Sequence, residues 1–153
     1  MQKADGMNYA PVSQGVRHVV CSGDTFPIGG IGLDHGHIYA MCNGLLEAGA
    51  KLVSVYDPDP EKVKAFQKQY PQVNVEVSEK EILENKEIRL IASAIRPDLR
   101  CSLGIRVMEH GKDYFADKPG MLSMEEIDAA RKTCKRTGMK YMIYFGERVH
   151  VEG

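Results

Sequence analysis

The sequence predicts a doubly wound α/β fold, with a parallel sheet of about six strands and helices on both faces. Short apolar or alternating segments recur six times, and segments with helical periodicity or helix start signals separate them. Strict alternation of this kind implies right-handed βαβ crossovers, which build parallel sheets. A length of 153 residues suits one such domain.

The first βαβ unit is predicted from residues 26–56. A strand at 26–33 leads into a turn at 34–37, and an amphipathic helix follows until Gly49 closes it. The second strand covers 52–56, and Asp57 follows it directly. The apolar face of the helix consists of Ile38, Met41, Cys42, Leu45 and Leu46.

The middle of the chain is predicted to add a helix, a short strand and a brief helix. Pro60 suits the first turn of the second helix, and Pro71 ends it. Alternation over 73–77 indicates a strand, and Ser78-x-x-Glu81 is a capping box for the next helix. The apolar stripe of the second helix is Val63, Phe66 and Tyr70.

The last three strands are predicted at 88–94, 114–116 and 141–145. The intervening helices begin near Pro97 and at Ser123, and each ends at a glycine. The first has Leu99, Leu103 and Val107 on one face before Gly111, and the second has Met124, Ile127, Ala130 and Cys134 before Gly138.

Composition and charge exclude several classes of protein. Twenty basic and twenty-one acidic residues give a net charge of -1, whereas nucleic-acid binders carry a basic excess. The sequence has no apolar run of the ~20 residues that cross a bilayer, and its start lacks a signal-peptide core. We therefore expect neither nucleic-acid nor membrane partners, and a cytoplasmic location.

The four cysteines lie far apart without a C-x-x-C motif. This spacing favours reduced thiols over a disulfide framework or a zinc site. Residues 1–24 show no clear periodicity, and we expect an irregular N-terminal arm before a dinucleotide-binding domain at 25–153.

The turn after the first strand has two interpretations. Residues 30–36, GIGLDHG, can be a loosened dinucleotide fingerprint in which Gly32, Leu33, Asp34, His35 and Gly36 bind a diphosphate at a helix start. If Ile31 ends the strand, Asp34 takes the place of the central glycine, and its carboxylate repels phosphate unless it points away or caps the helix. The alternative is a tight turn with Asp34 as a helix cap.

Asp57 ends the second strand 25 residues after Gly32, close to the ~20 expected for the acidic residue that binds the adenosine ribose. A carboxylate there favours NAD over NADP, because a 2'-phosphate meets a like charge. Asp57 can instead be a helix cap or turn residue ahead of Pro58 and Pro60.

Two further segments are candidates. Ser93 and Ala94 end the fourth strand, where they can face a cofactor or be ordinary loop residues. His35 and His37 form an H-x-H pair, but a metal site needs three or four ligands and no third is recognisable nearby. We therefore predict no metal site, and expect a helix-start hydrogen bond or a cofactor-lining role.

Lys118 follows the fifth strand directly, at the edge where open α/β sheets bind ligands. Pro119 biases Lys118 toward an extended backbone, which sets the direction of the lysine.

These residues resemble the N-terminal domain of the Gfo/Idh/MocA oxidoreductase family over residues 26–150. The segments 56–62, 91–94 and 110–119 carry the resemblance, and 147–148 resembles the bridge to the family's second domain. The glycine turn departs from the usual pattern. The resemblance implies that Lys118 lies by the nicotinamide and substrate as a catalytic residue, with Pro119 beside it, that Asp57 binds the ribose, and that Ser93 lines the cofactor.

The resemblance further implies an NAD(P)-dependent oxidoreductase domain that acts on a sugar, a polyol or a related hydroxy or carbonyl compound. The family's substrate domain would begin where this chain stops, so we expect the chain alone to be catalytically incomplete. We also expect self-association, because a sheet built to pack a second domain can expose an apolar face. The alternatives are a non-catalytic dinucleotide-binding or oligomerising module, and an unrelated doubly wound protein.

Overall fold

Six strands and five helices alternate along residues 19–146, the part of the chain that the computed structural model describes. The strands are β1 Pro27–Ile31, β2 Lys51–Tyr56, β3 Asn74–Val75, β4 Leu90–Ser93, β5 Asp113–Asp117 and β6 Tyr141–Tyr144. The helices are α1 His37–Glu47, α2 Pro60–Gln69, α3 Glu79–Glu84, α4 Pro97–Glu109 and α5 Met124–Thr137. All strand pairs are parallel, in the order β3-β2-β1-β4-β5-β6. The predicted fold class is confirmed.

Strand β4 shows why an apolar segment without alternation becomes a central strand. Its four residues are all buried, and successive side chains point to opposite faces. Leu90 and Ala92 pack in the cluster that contains residues of α1 and α2, whereas Ile91 packs with residues of α3 and α4. The sheet therefore separates two apolar cores.

The helix starts follow the capping signals in the sequence. The Oγ of Ser78 accepts a hydrogen bond from Glu81 N at 3.3 Å, and the Oγ of Ser123 accepts one from Glu126 N at 3.2 Å. Helix α2 is capped by Asp59, whose Oδ1 lies 2.9 Å from Glu61 N. Each cap satisfies an amide that the helix itself leaves without a partner.

Four predicted strands are longer than the observed ones, and β4 lacks the predicted residues 88, 89 and 94. β1 ends at Ile31 because Gly32 adopts a φ of 77°, which turns the chain out of the sheet. β3 contains only Asn74–Val75 and is an exposed edge strand, and Val77 is 82% exposed. β6 ends at Tyr144, one residue earlier than predicted.

Two predicted stripe residues are exposed. Met124, the first residue of α5, is 66% exposed. Leu99 is 41% exposed because it lines an open cavity at the end of the strands rather than the α4 packing interface. Residues 103 and 107 of the same stripe are fully buried.

Residues 19–24, the described part of the predicted arm, contain no helix or strand, and residues 1–18 lie outside the described range. Cys21 N and Val20 N both donate to the carbonyl of Ala48. This close approach needs Gly49, since a Cβ there would overlap the Cys21 carbonyl. The predicted bridge at 147–148 also lies outside the described residues.

All four cysteines are free thiols. Cys42 and Cys101 are buried, and burial raises the pKa of Cys42 to about 12 and that of Cys101 to about 11. Within residues 19–146, no helix combines the length and the apolar character that a bilayer crossing requires.

Candidate functional site

The candidate site lies at the carboxyl ends of the strands, around the point where the strand order reverses. β1 pairs with β2 on one side and with β4 on the other, so the chain leaves β1 and β4 on opposite faces of the sheet. Such a switch point opens a crevice, which is where doubly wound proteins bind ligands. Gly32, Asp57, Ala94 and Lys118 all follow strands that end here.

Gly32 is required by packing at this turn. Its N–H donates to Tyr56 O at 3.1 Å, and its carbonyl accepts from Ala94 N at 3.1 Å, so it joins β1 to the loops after β2 and β4. A Cβ at this position would lie 2.5 Å from the Cβ of Ile95. The glycine therefore allows the loop after β4 to pack against the turn.

Asp57 is buried and holds the turn in place. Its Oδ2 accepts from Leu33 N at 2.7 Å, and its Oδ1 accepts from Asp59 N at 2.8 Å. The cap of α2 is Asp59, so the alternative that Asp57 caps the helix is wrong, whereas its bond to Asp59 N makes it a turn residue. Each carboxylate oxygen keeps a lone pair for a further donor.

Asp34 points away from the start of α1. Its Oδ1 accepts from Lys62 Nζ at 2.6 Å, and its Oδ2 accepts from Arg96 N at 2.9 Å. Partial burial raises the pKa of this carboxyl, but the bonds from Lys62 and Arg96 outweigh that effect and the net pKa is lowered. The helix cap is Gly36, without a side-chain bond, so the interpretation of Asp34 as a helix cap is wrong.

Ser93 and Ala94 are fully buried at the end of β4. The Oγ of Ser93 accepts from Ile95 N at 3.3 Å, which shapes the loop from inside. The carbonyl of Ala94 accepts from His35 N at 3.2 Å, and Ala94 contributes to the wall of a cavity beside Lys118. A cofactor contact of these two residues stays a prediction.

Asp117 brings the two histidines of the turn together. His37 Nδ1 lies 2.8 Å from Asp117 Oδ1, and His35 Nδ1 lies 3.5 Å from Oδ2. The three side chains form a group with the atom types of metal ligands, whose third member sequence analysis did not recognise. Asp117 is also bonded to the guanidinium of Arg100 and to Lys118 N, and a fixed cation at this carboxylate opposes a metal ion.

Arg100 is the functional candidate that sequence analysis missed. It is 3% exposed, and its Nε donates to Ile95 O at 2.6 Å while its Nη2 donates to Asp117 Oδ2 at 3.1 Å. Its Nη1 donates to the carbonyls of Lys118 and Pro119. One side chain thus ties the loop after β4 to the loop after β5. The available signal was a charged residue on the buried stripe of α4, three residues before Leu103 and seven before Val107.

Lys118 is half-buried, and its backbone is held on both sides. Its N–H donates to Asp117 Oδ1 at 2.8 Å, and its carbonyl accepts from Arg100. The peptide bond to Pro119 is cis. The side chain lines a cavity of about 300 Å³ together with His35, Ala94 and other residues of the turn. Within residues 19–146, no carboxylate or carbonyl accepts a hydrogen bond from its ammonium group.

His35 is the neighbouring titratable group in this cavity. Its Nδ1 accepts from His37 N at 3.2 Å, so the proton of the neutral ring resides on Nε2. Partial burial lowers its pKa, the charges of His37, Lys118 and Arg100 lower it further, and Asp117 acts in the opposite direction. His35 can therefore donate from Nε2 beside Lys118 as a neutral imidazole.

A second and larger cavity, of about 450 Å³, opens on the other side of the turn. Ile95 and Leu99 form part of its apolar wall, and the buried Asp57 and the charged residues Asp34, Glu79, Arg96 and Arg106 also line it. Pockets of a few hundred Å³ that combine apolar walls with polar groups are typical of small-molecule sites. The two cavities together form a cleft along the ends of the strands.

Comparison with known proteins identifies this arrangement. The model of the Gfo/Idh/MocA oxidoreductase family, NAD-binding Rossmann fold, matches residues 28–145. The chain is 30% identical over 100 residues to scyllo-inositol 2-dehydrogenase (NAD(+)) of Bacillus subtilis, covering 65% of this chain and 29% of that protein. It is 29% identical over 159 residues to glycosyl hydrolase family 109 protein 1 of Phocaeicola vulgatus, covering 85% and 34%.

A solved structure is also similar to this chain, in both fold and sequence. A protein of Erwinia carotovora atroseptica that is assigned as an oxidoreductase superimposes with a TM-score of 0.77 and 36% identity, over 80% of this chain and 37% of that one. The chain thus spans about a third of the length of the proteins it matches. The predicted resemblance is confirmed, and the chain belongs to the Gfo/Idh/MocA oxidoreductase family, of which it forms the NAD-binding Rossmann domain.

Proposed function

We propose that this domain binds NAD in a dehydrogenase that acts on a hydroxyl or carbonyl group of a sugar or polyol, with Lys118 as the catalytic residue. The observation that carries the proposal is the position of Lys118. It directly follows a strand beside the switch point, its backbone is tied to Arg100 and Asp117, and it lines a cavity. The polyol relative from Bacillus subtilis supports the substrate class.

The residues of the cleft fit a dinucleotide. The larger cavity has the volume for an adenosine, and Asp57 retains lone pairs there for ribose hydroxyls. Lys118 and His35 line the smaller cavity, which in this proposal holds the nicotinamide end. When bound, the nicotinamide accepts or donates the hydride.

Lys118 has the chemistry for the reacting oxygen. As an ammonium group it donates a hydrogen bond that polarises a carbonyl, and as an amine it takes the proton of a hydroxyl. Arg100 and Asp117 hold the backbone, so the side chain starts from a fixed point. The chain spans about a third of the length of its relatives, so we expect turnover to need groups from outside this domain.

Asp57 favours NAD over NADP. A 2'-phosphate near the ribose site would meet the carboxylates of Asp57 and Asp59, with Lys62 as a neighbouring cation. Two like charges against one cation disfavour the added phosphate. The selectivity therefore depends on a carboxylate that is already fixed by two backbone amides.

Calorimetric titration with NADH, NADPH and ADP-ribose tests the cofactor, and we expect NADH to bind more tightly than NADPH. Absence of binding by both at millimolar concentration contradicts the proposal. The position of Lys118 is tested by reductive ¹³C-methylation of the lysines and NMR, with Lys118→Arg to assign the signal. NAD should shift this resonance and ADP-ribose, which lacks the nicotinamide, should not. Equal shifts with both ligands would place Lys118 away from the nicotinamide.

A further inference from the structure

We propose that Lys62 is a phosphate-binding residue of the cleft, and that Asp34 holds it in the unliganded protein. When a dinucleotide binds, Lys62 exchanges the Asp34 carboxylate for the diphosphate. This inference rests on the proposed function, because it requires a dinucleotide to occupy the cleft. Asp34 is then an affinity determinant that weakens cofactor binding.

The position of the pair in the cleft is the first argument. Asp34 lines both the cavity beside Asp57 and the cavity beside Lys118. Its carboxylate bonds to Lys62 of α2 on one side and to Arg96 N on the other, so the bridge spans the cleft between the two cavities. A ligand that fills both cavities must cross this bridge, and the diphosphate is the part of a dinucleotide that joins its two halves.

The charge balance around Lys62 is the second argument. Its ammonium group faces Asp34 at 2.6 Å and Asp59 at 3.9 Å, and Asp57 is also close enough to act on it. Three carboxylates surround one lysine, so the addition of a diphosphate without rearrangement would bring further negative charge into an acidic site. The exchange of partners by Lys62 offsets part of the added charge and leaves Asp34 as the residue that weakens binding.

The neighbouring cations are not equivalent to Lys62. The guanidinium of Arg96 is engaged by Asp98 through two bonds, of 3.2 Å from Nε and 2.6 Å from Nη2. Arg100 is buried and bonded to Asp117. The side chain of Lys62 is 36% exposed, and that of Asp34 is 25% exposed. A partly solvated pair with one long flexible side chain separates at low cost.

The turn itself offers few amides to a phosphate. Leu33 N donates to Asp57, His35 N to Ala94 O, and His37 N to the ring of His35. A dinucleotide turn normally leaves such amides for the diphosphate. In this chain a side-chain cation has to supply part of that charge, and Lys62 already reaches across the turn.

Two substitutions separate the roles of the pair, and both act on charge with little change in shape. Asp34→Asn keeps an oxygen for Arg96 N and releases Lys62, and we expect ADP-ribose to bind about 10-fold more tightly. Lys62→Met removes the phosphate partner, and we expect about 10-fold weaker binding. Asp128→Asn and Lys132→Met, exposed on α5, are the matched controls.

A comparison of ligands identifies which phosphate group Lys62 binds, the diphosphate or a 2'-phosphate. Calorimetry with the chain should show both effects with ADP-ribose and NAD, and neither with adenosine, which has no phosphate. A Lys62→Met effect on 2'-AMP but not on ADP-ribose would assign Lys62 to a 2'-phosphate and overturn the proposal. Thermal unfolding checks that each variant is folded.

The outcomes also separate this inference from the proposed function. If the wild type binds ADP-ribose and Asp34→Asn binds it no more tightly, the bridge proposal is wrong and the cofactor assignment stands. If only Asp34→Asn binds, both are supported. If neither protein binds ADP-ribose or NAD at millimolar concentration, the cofactor assignment fails and the bridge proposal fails with it.

Discussion

The guanidinium of Arg100 lies 3.1 Å from the carboxylate of Asp117, and both side chains are at least 97% buried. The pair joins the loops after β4 and β5, and it also binds both sides of the Lys118 backbone. A buried ion pair is a weak source of stability, but the loss of one member leaves an uncompensated charge.

We therefore expect Arg100→Met to lower the free energy of unfolding by about 3–5 kcal/mol. The reason is that Asp117 would remain buried without its cation, and three carbonyls would lose a donor. Urea unfolding at pH 7 measures the change. The control is Arg131→Met, an exposed arginine of α5, for which we expect a change within about 0.5 kcal/mol. A similar small change for Arg100→Met would contradict the structural role.

Alanine substitutions at Gly32 and Gly138 distinguish the energetic cost of a close contact from that of backbone strain. Their φ angles are 77° and 74°, but a Cβ at Gly32 would meet Ile95 at 2.5 Å and a Cβ at Gly138 would have no neighbour within 4 Å. We expect Gly138→Ala to cost about 1 kcal/mol from the left-handed backbone alone. Gly32→Ala should cost about 2–4 kcal/mol, because overpacking adds to the strain. Equal losses in thermal unfolding would show that the Ile95 contact is unimportant.

Asp57→Asn tests the cofactor preference. An amide accepts through only one oxygen, so one of the amides of Leu33 and Asp59 loses its partner, at a cost of about 1–3 kcal/mol. The loss of the negative charge should raise the affinity for NADP relative to NAD by about 10-fold. Calorimetry with both dinucleotides measures the ratio, and Asp128→Asn, remote from the cleft, should leave it unchanged. An unchanged ratio for Asp57→Asn removes this residue from cofactor selection.

His35 should make stability depend on pH. Burial and the charges of His37, Lys118 and Arg100 place its pKa in the folded protein below the ordinary 6.5, although Asp117 opposes the shift. The unfolded state then binds more protons between these two values, so the free energy of unfolding falls as the pH drops below 6.5. His35→Gln removes this proton uptake and should flatten the profile between pH 7.5 and about 5. Parallel profiles for the two proteins in urea unfolding would contradict the assignment.

Local chemistry explains what could be predicted from the sequence. The cap at Ser123, the apolar run that became β4 and the glycine after α5 act within a few residues, so their patterns appear directly in the sequence. Even for such elements, the first and last residues depend on contacts with residues that are distant in the sequence. The end of β1 was predicted two residues too late, because the turn at Gly32 is set by contacts with Tyr56 and Ile95.

The residues of the candidate site could likewise be predicted only in part. Lys118 and Asp57 were predicted from their places at strand ends, which topology brings to one edge of the sheet. Arg100 was missed because helical periodicity assigns its position to the core without showing which polar group it meets there. Asp34 was predicted to belong to the cofactor turn, and either to cap α1 or to point away from the phosphate. The partners that exclude the cap come from α2 and from the loop after β4.

The sequence by itself determined the doubly wound fold, the edge of the sheet that holds the site, and the two strand-end residues on either side of it. Only the tertiary structure decided the pairings of Asp34 with Lys62, Asp57 with Leu33, and Arg100 with Asp117. The reason is that periodicity and capping depend on residues within one or two turns, whereas these pairs are 28, 24 and 17 residues apart in sequence. They form only when several βαβ units pack side by side, and burial then makes each charge depend on its partner.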